Sequence, residues 1–236
     1  EVEALRETKN GEHTLNYAPE IDFTEATSKL KVVVSDGREG KEAIGYVKAY
    51  VNMDVATLNV GSQPLANNAH VKYPDAFGMV SLNDLKTYSV DYAIANEVNA
   101  KNVDFKFYCF GASGSPRLYS MDNTGKDGEF SGSTGKLSAI KVKNLTRFAI
   151  LSNFDYENAT VASISSEILS SSIAQSLLDP IAVGNVIAFR TGGSSAAGGG
   201  RIGVMKVINI TEPKELVSNN ATARVMTVEI KFPKKK

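Results

Sequence analysis

The residues of this chain with chemistry to offer are two histidines, one cysteine and a scatter of carboxylates and hydroxyls. A zinc centre ordinarily draws three or four His, Cys or carboxylate ligands into one cluster, and neither His13 nor His70 has such company in the sequence. Serine is abundant, but no Gly-x-Ser-x-Gly elbow is present. Gly111-Ala112-Ser113-Gly114-Ser115 reads as a tight turn between strands rather than a nucleophile before a helix. Cys109 alternates with Phe105 and Phe107, which marks a small buried hydrophobe and not a reactive thiol, and a lone cysteine forms no intrachain disulfide. The glycines Gly198–Gly200 lack the Lys-Ser/Thr of a phosphate-binding loop. Asp122, Asn123 and Asp127 crowd one turn and offer oxygens to a calcium ion, yet the D-x-D-x-D-G loop is missing and an Asx-rich turn accounts for them. Glycoside hydrolysis needs two carboxylates across a cleft, and no such pair is legible. The expectation is therefore a protein that is not an enzyme, with no catalytic residues, no metal and no cofactor, and with binding residues unassigned.

Composition narrows the ligand class. With 26 basic and 26 acidic residues the formal charge is zero, which gives no footprint for nucleic acid. The run Lys234–Lys236 reads as a solvated tail. Tryptophan, the usual platform for a sugar ring, is absent, while nine tyrosines remain. Tyr46 and Tyr50 fall on one face of a strand, as a small aromatic platform or as packing against a neighbour. A peptide held through main-chain pairing at a sheet edge suits a tryptophan-free β protein at least as well as a glycan does. The sequons at Asn144, Asn158, Asn209 and Asn220 matter only in a eukaryotic secretory pathway.

The elements that must position these residues are mostly strands. Val103, Phe105, Phe107 and Cys109 form one face of a period-two pattern, with Asp104, Lys106 and Tyr108 on the other. Met226, Val228, Ile230 and Phe232 oppose Thr227, Glu229 and Lys231 in the same way. Strands are also predicted at Leu30–Val34, Ile44–Asn52, Val55–Val60, Phe77–Leu82, Arg147–Leu151, Val186–Arg190 and Arg201–Ile210, with turns at Asp36-Gly37, Asn123-Thr124-Gly125 and Asp127-Gly128. Helical spacing predicts one short helix over 164–178, capped by Ser165 or Ser166 and ended by Pro180, and a weaker one over Ser89–Val98. The loop Gly192–Gly200 between the last-named strands is built of Gly, Ser and Ala, residues that bury little, and is expected to be mobile and dispensable to the fold.

The fold class is all-β, in two parts divided near Met53-Asp54. Residues 1–53 contain LKVVVSDGREGKEAIGYVKAYVN, similar to the last strands of bacterial immunoglobulin-like repeats but too short for a whole sandwich of ~100 residues. They are expected to form a partial Ig-like β-sandwich module. Residues 54–236 are expected to form a larger β-sandwich or barrel-like domain with two short helices.

The second part resembles a family of Bacteroidetes surface lipoproteins. The resemblance rests on TLNVGSQ at 57–63, the block FGMVSLNDLKTYSVDYAIANEVNAKNVDFKFYCF at 77–110, RLYSMD at 117–122 and LTRFAIL at 145–151. It continues through the hairpin VIAFRT…GVMKV at 186–207 to the closing TVEIKF at 227–232. Such proteins accompany Sus-type nutrient importers, each a TonB-dependent barrel with a lipoprotein lid. The resemblance implies a non-catalytic accessory lipoprotein of the outer membrane, at the cell surface, that captures or docks an oligosaccharide or oligopeptide. Its implied partners are the importer and its lid. The periplasmic side of that membrane is the other address the resemblance leaves open. The alternative is a structural or adhesive surface module without a small ligand. No apolar run approaches the ~20 residues of a membrane span. The chain opens on Glu1-Val2-Glu3 as a processed form would, so membrane attachment would come only through a lipid anchor absent from this sequence.

Overall fold

The computed structural model describes strands at 27–35 and 42–50 and the continuous stretch 52–235. In chain order the strands are β1 (Thr27–Ser35), β2 (Glu42–Tyr50), β3 (Met53–Gly61), β4 (Met79–Ser81), β5 (Lys86–Tyr88), β6 (Phe105–Phe110), β7 (Ser115–Ser120), β8 (Arg147–Leu151), β9 (Leu177–Leu178), β10 (Val186–Arg190), β11 (Ile202–Ile210) and β12 (Val225–Pro233). Short helices α1 (Val90–Ala95), α2 (Glu97–Lys101) and α3 (Val161–Glu167) lie in the connections. The protein is all-β. Of the expected Ig-like module, β1 and β2 pair antiparallel from Thr27–Tyr50 to Ser35–Glu42. The rest of that module, and the side chains of Tyr46 and Tyr50, lie outside the described residues.

Two antiparallel five-stranded sheets follow, ordered β3-β12-β11-β10-β8 and β5-β4-β6-β7-β9. They stack because alternation gives each an apolar face. Met226, Val228, Ile230 and Phe232 of β12 and Ile187 and Phe189 of β10 meet Phe105, Phe107 and Cys109 of β6 and Leu118 of β7 in one core. Phe105 and Phe148 contact edge to face across the layers at 5.8 Å. Full burial of side chains this size contributes about 1.5–3 kcal/mol each. Gly203 is required where it stands, since a Cβ there would enter the rings of Phe189 and Phe232.

Both outer faces are also covered, so the sandwich has flanking layers. Tyr156, Ala159, Ile164, Ile168 and Ile173 pack over Ala188 and Val204 of the first sheet. Val90, Ala93, Ala100, Phe130 and Leu137 cover Met79, Tyr108 and Tyr119 of the second. As a result, the outward lysines Lys106 and Lys231 are buried rather than solvated.

The helix expected over 164–178 forms elsewhere. It starts at Val161, where Thr160 and Ser163 make a reciprocal capping box, and it stops at Glu167. Serine competes with the helix by bonding its own backbone, as the Ser172 hydroxyl does on Leu169 O at 2.7 Å. Beyond it, Gln175 bridges to Phe148 and Leu177–Leu178 pair with β7, so strand pairing outweighs the helical spacing of Ile173 and Leu177. The weaker helical stretch divides into α1, capped by Ser89, and α2, capped by Asn96.

The Gly-Ser loop is also a correction, because it is docked rather than free. Ala197 is buried in the main core. The Ala196 amide donates to Lys101 O at 2.9 Å, the Ser194 hydroxyl to Asn144 Oδ1 at 2.6 Å, and Arg201 to Ala197 O at 2.6 Å. Small residues let this loop approach other backbone closely. A Cβ at Gly192 would strike the Leu145 backbone, and one at Gly199 would strike Gly193.

Candidate functional site

The residues singled out by type are committed to structure. Cys109 is buried, and burial pushes its thiol up to about 12, far from a thiolate at neutral pH. His70 Nδ1 accepts from the Lys72 amide at 3.2 Å within a loop, and His13 lies outside the described residues. The Asx-rich turn is filled by the protein's own cations. Arg147 grips Asp122 with two bonds of 2.8 Å, while Asp127 receives Lys106 at 2.7 Å and Lys143 at 3.1 Å. Burial pulls the Asp122 carboxyl upward, but Arg147 and Ser120 hold it below the usual range. The Ser133 hydroxyl, with the amides of Thr134 and Ser133, keeps Asp91 well below the usual carboxylate range. No group of three or more His, Cys, Asp or Glu gathers as a metal site among the described residues.

One buried acid stands apart. Asp104 has no exposed surface, and burial raises it to about 6 even though the Ser195 side chain and the Leu82 amide donate to it. Asn144, equally buried, donates to Lys101 O and Val103 O at 2.8 Å each. Together Asp104 and Asn144 clamp the Gly-Ser loop onto the second sheet. This is scaffold, and it also places the Asn144 sequon in the interior.

The open site lies at the other end of the first sheet. β8 is an edge strand, paired on one side with β10. On its free side, Phe148 exchanges both backbone bonds with Gln175, at 2.8 and 3.1 Å. In an antiparallel ladder such outward pairs recur every second residue, so the N–H and C=O of Ile150 point the same way as those of Phe148. Past Gln175 toward its N-terminal side, the chain turns into the 3-10 segment Ser170–Ser172 and leaves the β8 edge. Among the described residues no backbone partner takes up the Ile150 groups.

The divergence opens a groove of about 530 Å³ between Ala149–Phe154 and Glu167–Gln175. Its floor is apolar, from Leu151, Phe154 and Ile168, and its rim carries Ser152, Asn153, Ser172, Gln175 and the Glu167 carboxylate. Ile150 is 45% exposed and Leu169, next to the rim, 67%. Polar and apolar residues line the groove in equal number, and its volume falls in the usual range of ligand sites, about 300–1,000 Å³. Sequence reasoning placed β8 to the residue but assigned no site there. The groove arises from the crossing of 168–176 between the two sheets, for which no local pattern exists.

No protein-family model matches this chain, and no curated protein matches it in sequence. Among solved structures it is similar to the crystal structure of a DUF4466 family protein from Parabacteroides merdae, at 13% identity and a TM-score of 0.48. That match covers 82% of this chain, which spans 59% of the length of the other.

Proposed function

We propose that this protein is a non-catalytic capture module that holds an extended oligomer, an oligosaccharide or an oligopeptide, in the groove beside β8. The observation that carries the reading is the open groove itself, set against an edge strand with free main-chain groups. The commitment of Asp91, Asp122 and Asp127 to structural contacts supports a binding role over a catalytic one. Its place as an accessory lipoprotein of a Sus-type importer at the outer surface rests on the sequence resemblance in 57–63, 77–110 and 186–207. A thermal-shift screen against glycan and peptide pools tests capture, since a ligand of the folded state must raise Tm. Co-purification from outer membrane with a TonB-dependent barrel and its lid tests the importer role. A protein that no pool stabilises, recovered free of any barrel, is a structural or adhesive module instead.

A further inference from the structure

The chemistry of the groove selects between the two ligand classes, on the premise that the capture reading above is right. Stacked sugar rings ask for broad aromatic faces, and the groove has one aromatic residue, Phe154. It does have a main-chain donor and acceptor at Ile150, in line with the Phe148–Gln175 pair through which the chain already lays a strand on this edge. Native proteins normally blunt such an edge with charge, proline or a bulge. β8 has the sequence RFAIL, and its one charge, Arg147, is bound to Asp122. The edge is left fit for pairing.

Charge sets the second requirement. Glu167 closes α3, where no basic residue stands in the last turn, so its carboxylate adds to the negative end of the helix. None of the ion pairs among the described residues includes it. Exposed and without an ion pair among the described residues, the Glu167 carboxylate is complementary to a cationic ligand.

We infer that the groove takes an extended peptide that adds as a strand to β8 through Ile150 and directs a Lys or Arg side chain to Glu167. β8 ends at Leu151 and Ser152–Asn153 form a bend, so the ligand pairs with the edge at Ile150 and its remaining residues lie along the groove lined by 152–154 and 167–175. The test uses the full chain, isotopically labelled, and a positional library of N-acetylated, C-amidated tetrapeptides with Lys, Gln or Glu at each site, beside gluco-oligosaccharides. Lys peptides are expected to shift the backbone amides of 149–153. N-methylation of the ligand amide that meets the Ile150 carbonyl should weaken binding about tenfold, as for loss of one hydrogen bond. Glu167→Gln should weaken Lys peptides about threefold and leave Gln peptides unchanged. Equal binding of methylated and free peptides overturns strand addition, and equal binding of Glu and Lys peptides overturns the role of Glu167. Glycans that move these amides where no peptide does overturn the peptide while capture stands. If neither class moves them, or if the edge pairs with a second copy of the chain in sedimentation, both readings fall.

Discussion

Replacing Asp104 by Asn should change how the stability of this protein depends on pH. Asp104 is fully buried, and its carboxyl titrates at about 6 in the folded protein against an ordinary 3.8, because burial outweighs the bonds from Ser195 and the Leu82 amide. Asp84 adds a like charge nearby and pushes the same way. A folded-state pKa above the unfolded one means that the native protein holds the proton more tightly. Between those two values stability therefore falls as pH rises, and the loss is complete above about 6. A gap of about two pH units at 1.36 kcal/mol each makes the loss about 3 kcal/mol by pH 7. In Asp104→Asn the amide oxygen still accepts from Leu82, and no charge is buried. Urea unfolding of both proteins at pH 4, 5, 6 and 7 isolates the effect, since other titrating groups cancel in the difference. About half a kcal/mol of the loss already falls below pH 4, so the variant should gain on the native protein by about 2.4 kcal/mol from pH 4 to pH 7. A difference that stays flat, or that moves against the variant as pH rises, would refute the account of Asp104 as a desolvated acid.

Three further outcomes follow from named contacts. Lys106→Met strands Asp127 in the interior with only the half-exposed Lys143, and should cost about 3 kcal/mol in urea unfolding; pairing it with Asp127→Leu should recover most of the loss. Asn144→Ala removes the donors to Lys101 O and Val103 O and the acceptor for Ser194. It should cost at least about 2 kcal/mol, with hydrogen exchange rising first in residues 192–200. Cys109 should resist alkylation by iodoacetamide at pH 8 in the folded protein and react at the rate of a free thiol in urea, its thiol being buried and pushed up to about 12.

Strands were legible wherever one face is buried and the other is not, because a period of two is then written into the residue types. β8 and β10 begin and end where the sequence places them, although RFAIL and VIAFR are short apolar runs rather than alternations and β10 is buried on both faces; Cys109 falls in the core as its spacing with Phe105 and Phe107 requires. What was not legible came from contacts distant in sequence. Lys231 looks solvated by its alternation with Phe232, yet the Tyr156 carbonyl, 75 residues away along the chain, takes its ammonium at 2.6 Å. Helical spacing at 164–178 is real, but Gln175 and Leu177 find strand partners in β8 and β7, and local propensity yields to them. The Gly-Ser loop shows the most instructive failure. Small residues bury little area and so suggest freedom, but the same lack of side chain lets backbone meet backbone, as Gly192 meets Leu145. Composition alone does not separate the two cases; the acceptors at Lys101 and Asn144 do.

The same logic explains why the candidate groove has no motif. Its polar groups at Ile150 are main-chain atoms, which every residue carries, and they become a site only because the neighbouring segment pairs once at Phe148 and then turns away. The turn is the 3-10 segment Ser170–Ser172, where the Ser172 hydroxyl donates to Leu169 O and no strand forms. If those serines were replaced by β-branched residues, the chain from Gln175 back toward Ser170 would have reason to stay on β8 and cover Ile150. Ser170→Val, Ser171→Val and Ser172→Val together should then raise stability, protect the Ile150 amide from exchange and abolish binding of any ligand strand. Continued rapid exchange at Ile150 in that variant would show that the open edge is held apart by something other than the serine turn.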